Sequence, residues 1–225
     1  MKKYDRKNPL IVIHIPKAAG TSSQQIFKSW FKSNFHRHYF NEPKGLMPIK
    51  LDLEILHTCE SPVVLHGHFN KLRGFGVEDY YPTIDQFITI IRDPFELLIS
   101  HYFYVRKVGN AWKDKSRLPG ADLEHYLKVT KPNMLNHFPR VMNLNNYKDI
   151  LEEYFIEIGI TEYLQESMAR IGYKLGFEFN PADLGVLNVT KRDQDVSIAF
   201  RDQFIELNRL EFEVYEYALS KYIEL

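Results

Sequence analysis

Apolar residues cluster in short runs separated by longer stretches with helical spacing. Leu10 to Ile15 is a buried-strand run, and "GTSSQQIFKSWF" follows it as a helix, with Ile26, Phe27 and Trp30 on one face and Thr21 or Ser22 as the expected N-cap. A second strand is predicted in "PVVLHGHF" (Pro62 to Phe69). A third, "QFITIIRDP", ends at Arg92, where Asp93 and Pro94 open a helix in the order cap then proline. The segment from about Gly109 to Asn146 mixes a short helix, "ADLEHYLKV", with loop. "YFIEIGI" is a fourth strand, "TEYLQESMARIGYKLG" a helix capped by Thr161 and ended by Gly176, and the stretch from Ser197 to Tyr222 a single long helix. Strands alternating with helices imply an α/β fold, a central parallel sheet flanked by helices. No repeat or linker divides residues 1–225, so one domain is expected.

Composition narrows the function classes. The 225 residues are 44% hydrophobic, enough for a sizeable core. Charge balances at 29 basic and 29 acidic residues, so nothing global points to nucleic acid or a membrane surface, and anion recognition has to be local. The single cysteine, Cys59, has no disulfide partner and is expected to be a small buried hydrophobe. The apolar run after the basic start is broken by His14, and no segment reaches the roughly 20 apolar residues of a membrane span. A soluble, cytoplasmic protein is the expectation.

Ligands of parallel sheets bind beyond the carboxyl ends of the strands, which brings "PKAAGTSS", "HGH" and "RDP" to one crevice. In the first string Ala18, Ala19 and Gly20 allow close backbone approach. The amides near Thr21, Ser22 and Ser23 face an anion from a helix start, and Lys17 adds a movable charge. That is a phosphate loop, but its lysine precedes the glycine, whereas a Walker loop places it after.

The strings "PKAAGTSS" and "IIRDPFELLISHYFYVR" together resemble the PAPS-dependent sulfotransferases. The resemblance implies a P-loop-like sulfotransferase fold and binding of 3′-phosphoadenosine 5′-phosphosulfate (PAPS), with 3′,5′-ADP as product. Residues 17–23 would hold the 5′-phosphosulfate, and Arg92 with Ser100 the 3′-phosphate. Leu97 departs from the pattern, since relatives carry a further arginine in this helix. "LHGHF" is similar to the active-site segment of the heparan and uronyl 2-O-sulfotransferase branch. This implies His68 as general base, His66 in support, and an acceptor hydroxyl on a saccharide. Lys17 would neutralise the leaving oxygen. Thr190, Lys191 and Arg192, with Asn188, match a loop that closes over the nucleotide in such enzymes.

No spaced ligand cluster in the sequence calls for a metal. The run Arg106, Lys107, Lys113, Lys115 and Arg117 could face an anionic acceptor or form a solvated loop, and Tyr102, Phe103, Tyr104 and Trp112 could stack on a sugar or fill the core. Two other classes stay open: a P-loop kinase or nucleoside triphosphatase, and a catalytically inert nucleotide-binding protein.

Overall fold

The computed structural model describes residues 1–41, 46–109, 115–116, 118–185, 194 and 196–223. Its centre is a parallel sheet of β1 (Leu10–His14), β2 (Phe35–His38), β3 (Val64–Gly67), β4 (Phe87–Ile91) and β5 (Phe155–Ile160), in the order β2-β3-β1-β4-β5. The helices are α1 (Gly20–Phe31), α2 (Leu53–Leu56), α3 (Val77–Tyr80), α4 (Pro94–Gly109), α5 (Leu123–Val129), α6 (Tyr147–Tyr154), α7 (Leu164–Leu175), α8 (Ile198–Leu207) and α9 (Arg209–Ile223).

Strand alternation divides the core into two layers. Ile11, Ile13, Leu65, Phe87 and Ile158 pack on one face with Leu151 of α6 and Val214 of α9, while Leu10, Val12, Ile88 and Ile156 meet Ile26 and Phe27 of α1 and Met168 of α7 on the other. Both faces are buried, so the central strands read as continuous apolar runs. A third cluster, Phe95, Tyr102, Leu127, Phe200 and Phe204, joins α4 to α5 and α8. After β1 the chain turns toward β2, and after β4 it turns toward β5. Connections thus diverge between the carboxyl ends of β1 and β4, where a parallel sheet opens a binding crevice.

Several local expectations are corrected. A fifth strand, β2, extends the sheet; its sequence, Phe-His-Arg-His, has no apolar run, but it pairs with β3 along its length. Gly67 makes that pairing possible, because a Cβ there would lie 2.1 Å from the His38 carbonyl oxygen. The long C-terminal helix is broken at Asn208, whose side-chain amide donates to the Phe204 carbonyl before α9 begins. Thr161 does not cap α7. Its hydroxyl donates to the Ile91 carbonyl, tying β5 to β4, and a 3-10 turn precedes the helix. Cys59 is exposed, because it rides on the turn between Thr58 and Ser61 and not in the sheet.

Candidate active site

The phosphate loop is shaped by its backbone. Lys17 and Ala19 adopt positive φ (69° and 53°) with Ala18 between them at negative φ, an alternation that bends the chain into a concavity of N–H groups. Each such non-glycine residue costs on the order of 1–2 kcal/mol, so the rest of the fold holds the loop in a conformation its residues disfavour. The α1 N-cap is Ala19, not Thr21 or Ser22, and no side chain caps the helix. At α4, α5 and α8 side chains do that work: Asp93 Oδ1 accepts from the amides of Phe95 and Glu96, Asp122 from His125, and Ser197 from Phe200. The first turn of α1 therefore keeps amides free for an anion at the positive end of the helix dipole. Ser23 is buried and its hydroxyl donates back to the Gly20 carbonyl, leaving Thr21 exposed and Ser22 half-buried beside the loop.

Lys17 is half-buried, with Nζ 4.0 Å from the centroid of the Tyr104 ring on α4. Burial, then the charges of Arg92 and Lys107, hold its pKa below the ordinary lysine value. Arg92 follows β4 and reaches the same loop, its Nη1 donating to the Lys17 carbonyl at 3.4 Å. Its guanidinium also stands 3.7 Å from Glu96 and 3.8 Å from Glu162. Burial raises the Glu162 pKa, although the amides and Arg92 beside it oppose that shift. Asp93 is fully committed, as the cap of α4 and, through Oδ2, to Arg201 at 2.8 Å. Ser100 is buried two turns along α4.

The histidines form a connected group that sequence reading saw only in part. His68 Nε2 lies 2.8 Å from Nδ1 of His14, the last residue of β1. His14 Nδ1 is also 2.9 Å from the Tyr39 hydroxyl, which is 2.7 Å from His66 Nδ1 and accepts from the Gln24 side chain at 3.1 Å. His14 and Tyr39 carried no recognisable signal: the first read as an interruption of a strand, and the second follows the unpredicted β2. His137 completes the surroundings, its ring 6.4 Å from that of His68. Burial is the main cause that lowers these imidazoles, His68 to about 4, His66 and His137 to about 3 and His14 to about 2; the neighbouring imidazoles with Lys17, Arg37 and Arg73 add to it, and a backbone hydrogen bond at Phe69 opposes it for His137. All are neutral near pH 7. His68 therefore has a lone pair always available, but it is a weaker base than an unperturbed histidine.

Other expected site residues fall away from the crevice or out of view. Thr190, Lys191, Arg192 and Asn188 lie outside the described residues, as do Trp112, Lys113 and Arg117. Arg106 donates to the Gly120 carbonyl and the Tyr102 hydroxyl, and Lys115 to the Gly109 carbonyl at the end of α4. Tyr102 and Phe103 are core residues, and Leu97 is packed against the sheet. Among the described residues no group of three or more His, Cys, Asp or Glu side chains could hold a metal ion, and no helix is long and apolar enough to cross a membrane.

The sequence matches the model of the sulfotransferase family over residues 3–218. The chain belongs to the sulfotransferase family. A comparison with curated proteins finds no match. Among solved structures, mouse sulfotransferase SULT7A1 complexed with PAP resembles this sulfotransferase with a TM-score of 0.54 at 13% identity, over 97% of this chain and 90% of that one, a likeness of fold. A sulfotransferase from Alicyclobacillus acidocaldarius matches at 12% identity and a TM-score of 0.46, covering 93% of this chain and 95% of its own. Retinol dehydratase in complex with androsterone and inactive cofactor PAP matches at 11% and 0.43, covering 94% and 80%.

Proposed function

We propose that this sulfotransferase moves a sulfuryl group from PAPS to a hydroxyl of a saccharide acceptor. The observation that carries the donor assignment is the uncapped start of α1 beside Lys17, with Arg92 reaching the loop carbonyl from β4. Two cationic groups and a concavity of free amides suit a nucleotide with one anion at each end, and the cradle fits the group that the family resemblance implies.

Bound PAPS supplies an activated sulfuryl group on a stable leaving group, 3′,5′-ADP. The loop of Lys17, Ala18, Ala19 and Gly20, with the amides and hydroxyls of Thr21 and Ser22, holds the 5′-phosphosulfate; Ser23, whose amide donates to the Ala19 carbonyl and whose hydroxyl donates to the Gly20 carbonyl, braces the loop from behind. Arg92 and Ser100 hold the 3′-phosphate. His68 takes the acceptor's hydroxyl proton as that oxygen bonds to sulfur, and Lys17 neutralises the charge growing on the bridging oxygen as the sulfur–oxygen bond breaks. His66 orients the network through Tyr39. An anion beside His68 raises its pKa again, since an opposite charge favours the imidazolium.

The saccharide assignment is supported by the histidine–glycine–histidine segment and its resemblance to the 2-O-sulfotransferase branch. The test is transfer of labelled sulfate from PAPS to a panel of uronic-acid polysaccharides, neutral glycans, steroids and phenols. Label on polysaccharide is the expected result; label only on phenols or steroids overturns the saccharide assignment and leaves the donor assignment standing.

A further inference from the structure

His14 stands between the two parts of the site. Its ring lies against the start of α1 so closely that a Cβ on Gly20 would fall 1.5 Å from Nε2. On its other edge Nδ1 meets His68 Nε2 at 2.8 Å and the Tyr39 hydroxyl at 2.9 Å. Gly20 is therefore required by the imidazole packed over it as well as by the phosphate loop.

Proton positions in this group are constrained. The Tyr39 oxygen accepts from Gln24 and has one hydrogen to give, shared between contacts to His66 Nδ1 and His14 Nδ1. If Tyr39 donates to His66, then His66 carries its hydrogen on Nε2, a buried atom with no partner among the described residues. If Tyr39 donates to His14, His66 Nδ1–H donates to Tyr39, and only a lone pair is left unpaired at His66 Nε2. In that arrangement His14 Nδ1 carries no hydrogen, and because two facing ring lone pairs would repel, His68 presents Nε2–H to it, sharing the one lone pair of His14 with the Tyr39 hydroxyl. The lone pair of His68 is then on Nδ1, since the side-chain hydrogen bond His68 makes among the described residues is through Nε2. The hydrogen bond of one ring nitrogen fixes the protonation of the other.

We propose that His14 is the positioning residue of this sulfotransferase: it accepts the Nε2–H of His68 and so holds the base in the tautomer whose Nδ1 lone pair is free for the acceptor hydroxyl. The role rests on the reading of His68 as base. Burial keeps His14 neutral, so it does this work as an acceptor and not as a charge. The charged or titratable groups acting on the pair are His66, His137 and Lys17 on His14, and Arg73 on His68.

The experiment is long-range proton–nitrogen correlation NMR on the full chain with labelled histidine, without nucleotide or acceptor, near neutral pH. His68 is assigned by loss of its signals in His68→Gln. The expected result is Nε2–H at His68 in the parent and a shift toward Nδ1–H in His14→Leu, which keeps bulk but removes the acceptor. His14→Asn, whose amide oxygen can accept, restores the Nε2–H form and serves also if His14→Leu does not fold. In transfer assays His14→Leu loses about tenfold to a hundredfold in kcat, with KM for PAPS little changed, and His14→Asn recovers part of it. Nδ1–H at His68 in the parent, or a tautomer indifferent to His14→Leu, overturns the proposal. Absence of sulfate transfer from every variant would count against the proposed reaction instead, since the tautomer is read without substrates.

Discussion

The ammonium of Lys17 sits over the ring of Tyr104, 4.0 Å from its centroid, and so couples the phosphate loop to α4. Among the described residues no acidic side chain pairs with Lys17, and the aromatic face gives its long side chain a defined place beside the loop. A cation over an exposed ring is worth about 0.5–1 kcal/mol. Tyr104→Ala is therefore expected to lower kcat/KM for PAPS by roughly two- to fivefold, whereas Tyr104→Phe keeps the parental value. Steady-state kinetics of the two variants check this; a faster Tyr104→Ala would mean that the ring parks the lysine away from its work.

His68 and Lys17 are expected to fail differently. His68 follows β3 and meets His14 beside the loop, so His68→Ala should bind 3′,5′-ADP like the parent while single-turnover transfer drops about 100- to 10,000-fold, the range for loss of a positioned base. Lys17→Ala should weaken nucleotide binding moderately and turnover further, because its charge meets both the bound phosphosulfate and the leaving oxygen. Calorimetry beside single-turnover kinetics separates the two, and equal losses of affinity would remove the division of labour.

Stability should fall steeply in acid. His14, His38, His66, His68 and His137 all have folded-state pKa values lowered from 6.5 to about 4 or below. As pH falls below 6.5 the unfolded chain takes up protons that the folded chain refuses, so each histidine removes stability at about 1.4 kcal/mol per pH unit until its folded pKa is reached. Glu211 acts in the opposite sense. Burial raises it to about 8, so the folded state holds its proton and loses that advantage as pH rises from 4.5 to 8. The sum is a stability maximum near pH 6.5 to 7, with a steep acid limb and a shallow alkaline one. Thermal melts across pH would show it; a flat profile between pH 4.5 and 6.5 would mean that the histidines are solvated in the folded state.

Sequence reading found the elements whose signal is local. The apolar strands β1, β3, β4 and β5 and the Asp93–Pro94 helix start are written in consecutive residues, and so are Lys17, Arg92 and His68 at the strand ends. It missed what depends on neighbours distant in the chain. The strand β2 is polar because it lies at the sheet edge, so no apolar run announces it, and Tyr39 was lost with it. His14 gained its place only when β3 was set beside β1, across 54 residues. The α1 cap was misassigned because Thr and Ser are favoured caps, whereas here two positive-φ residues make the turn and leave the amides open.

The claim on which the rest depends is that the crevice between β1 and β4 binds a nucleotide through a 3′-phosphate at Arg92 as well as a phosphosulfate at the loop. Isothermal titration of the parent and of Arg92→Ala with 3′,5′-ADP, adenosine 5′-phosphosulfate and magnesium ATP tests it most directly. The parent should bind 3′,5′-ADP more tightly than magnesium ATP. Arg92→Ala should lose roughly tenfold to a hundredfold for 3′,5′-ADP, the worth of a charged hydrogen bond, and little for adenosine 5′-phosphosulfate. Tighter binding of magnesium ATP, or equal losses for both adenosine ligands in Arg92→Ala, would contradict the account.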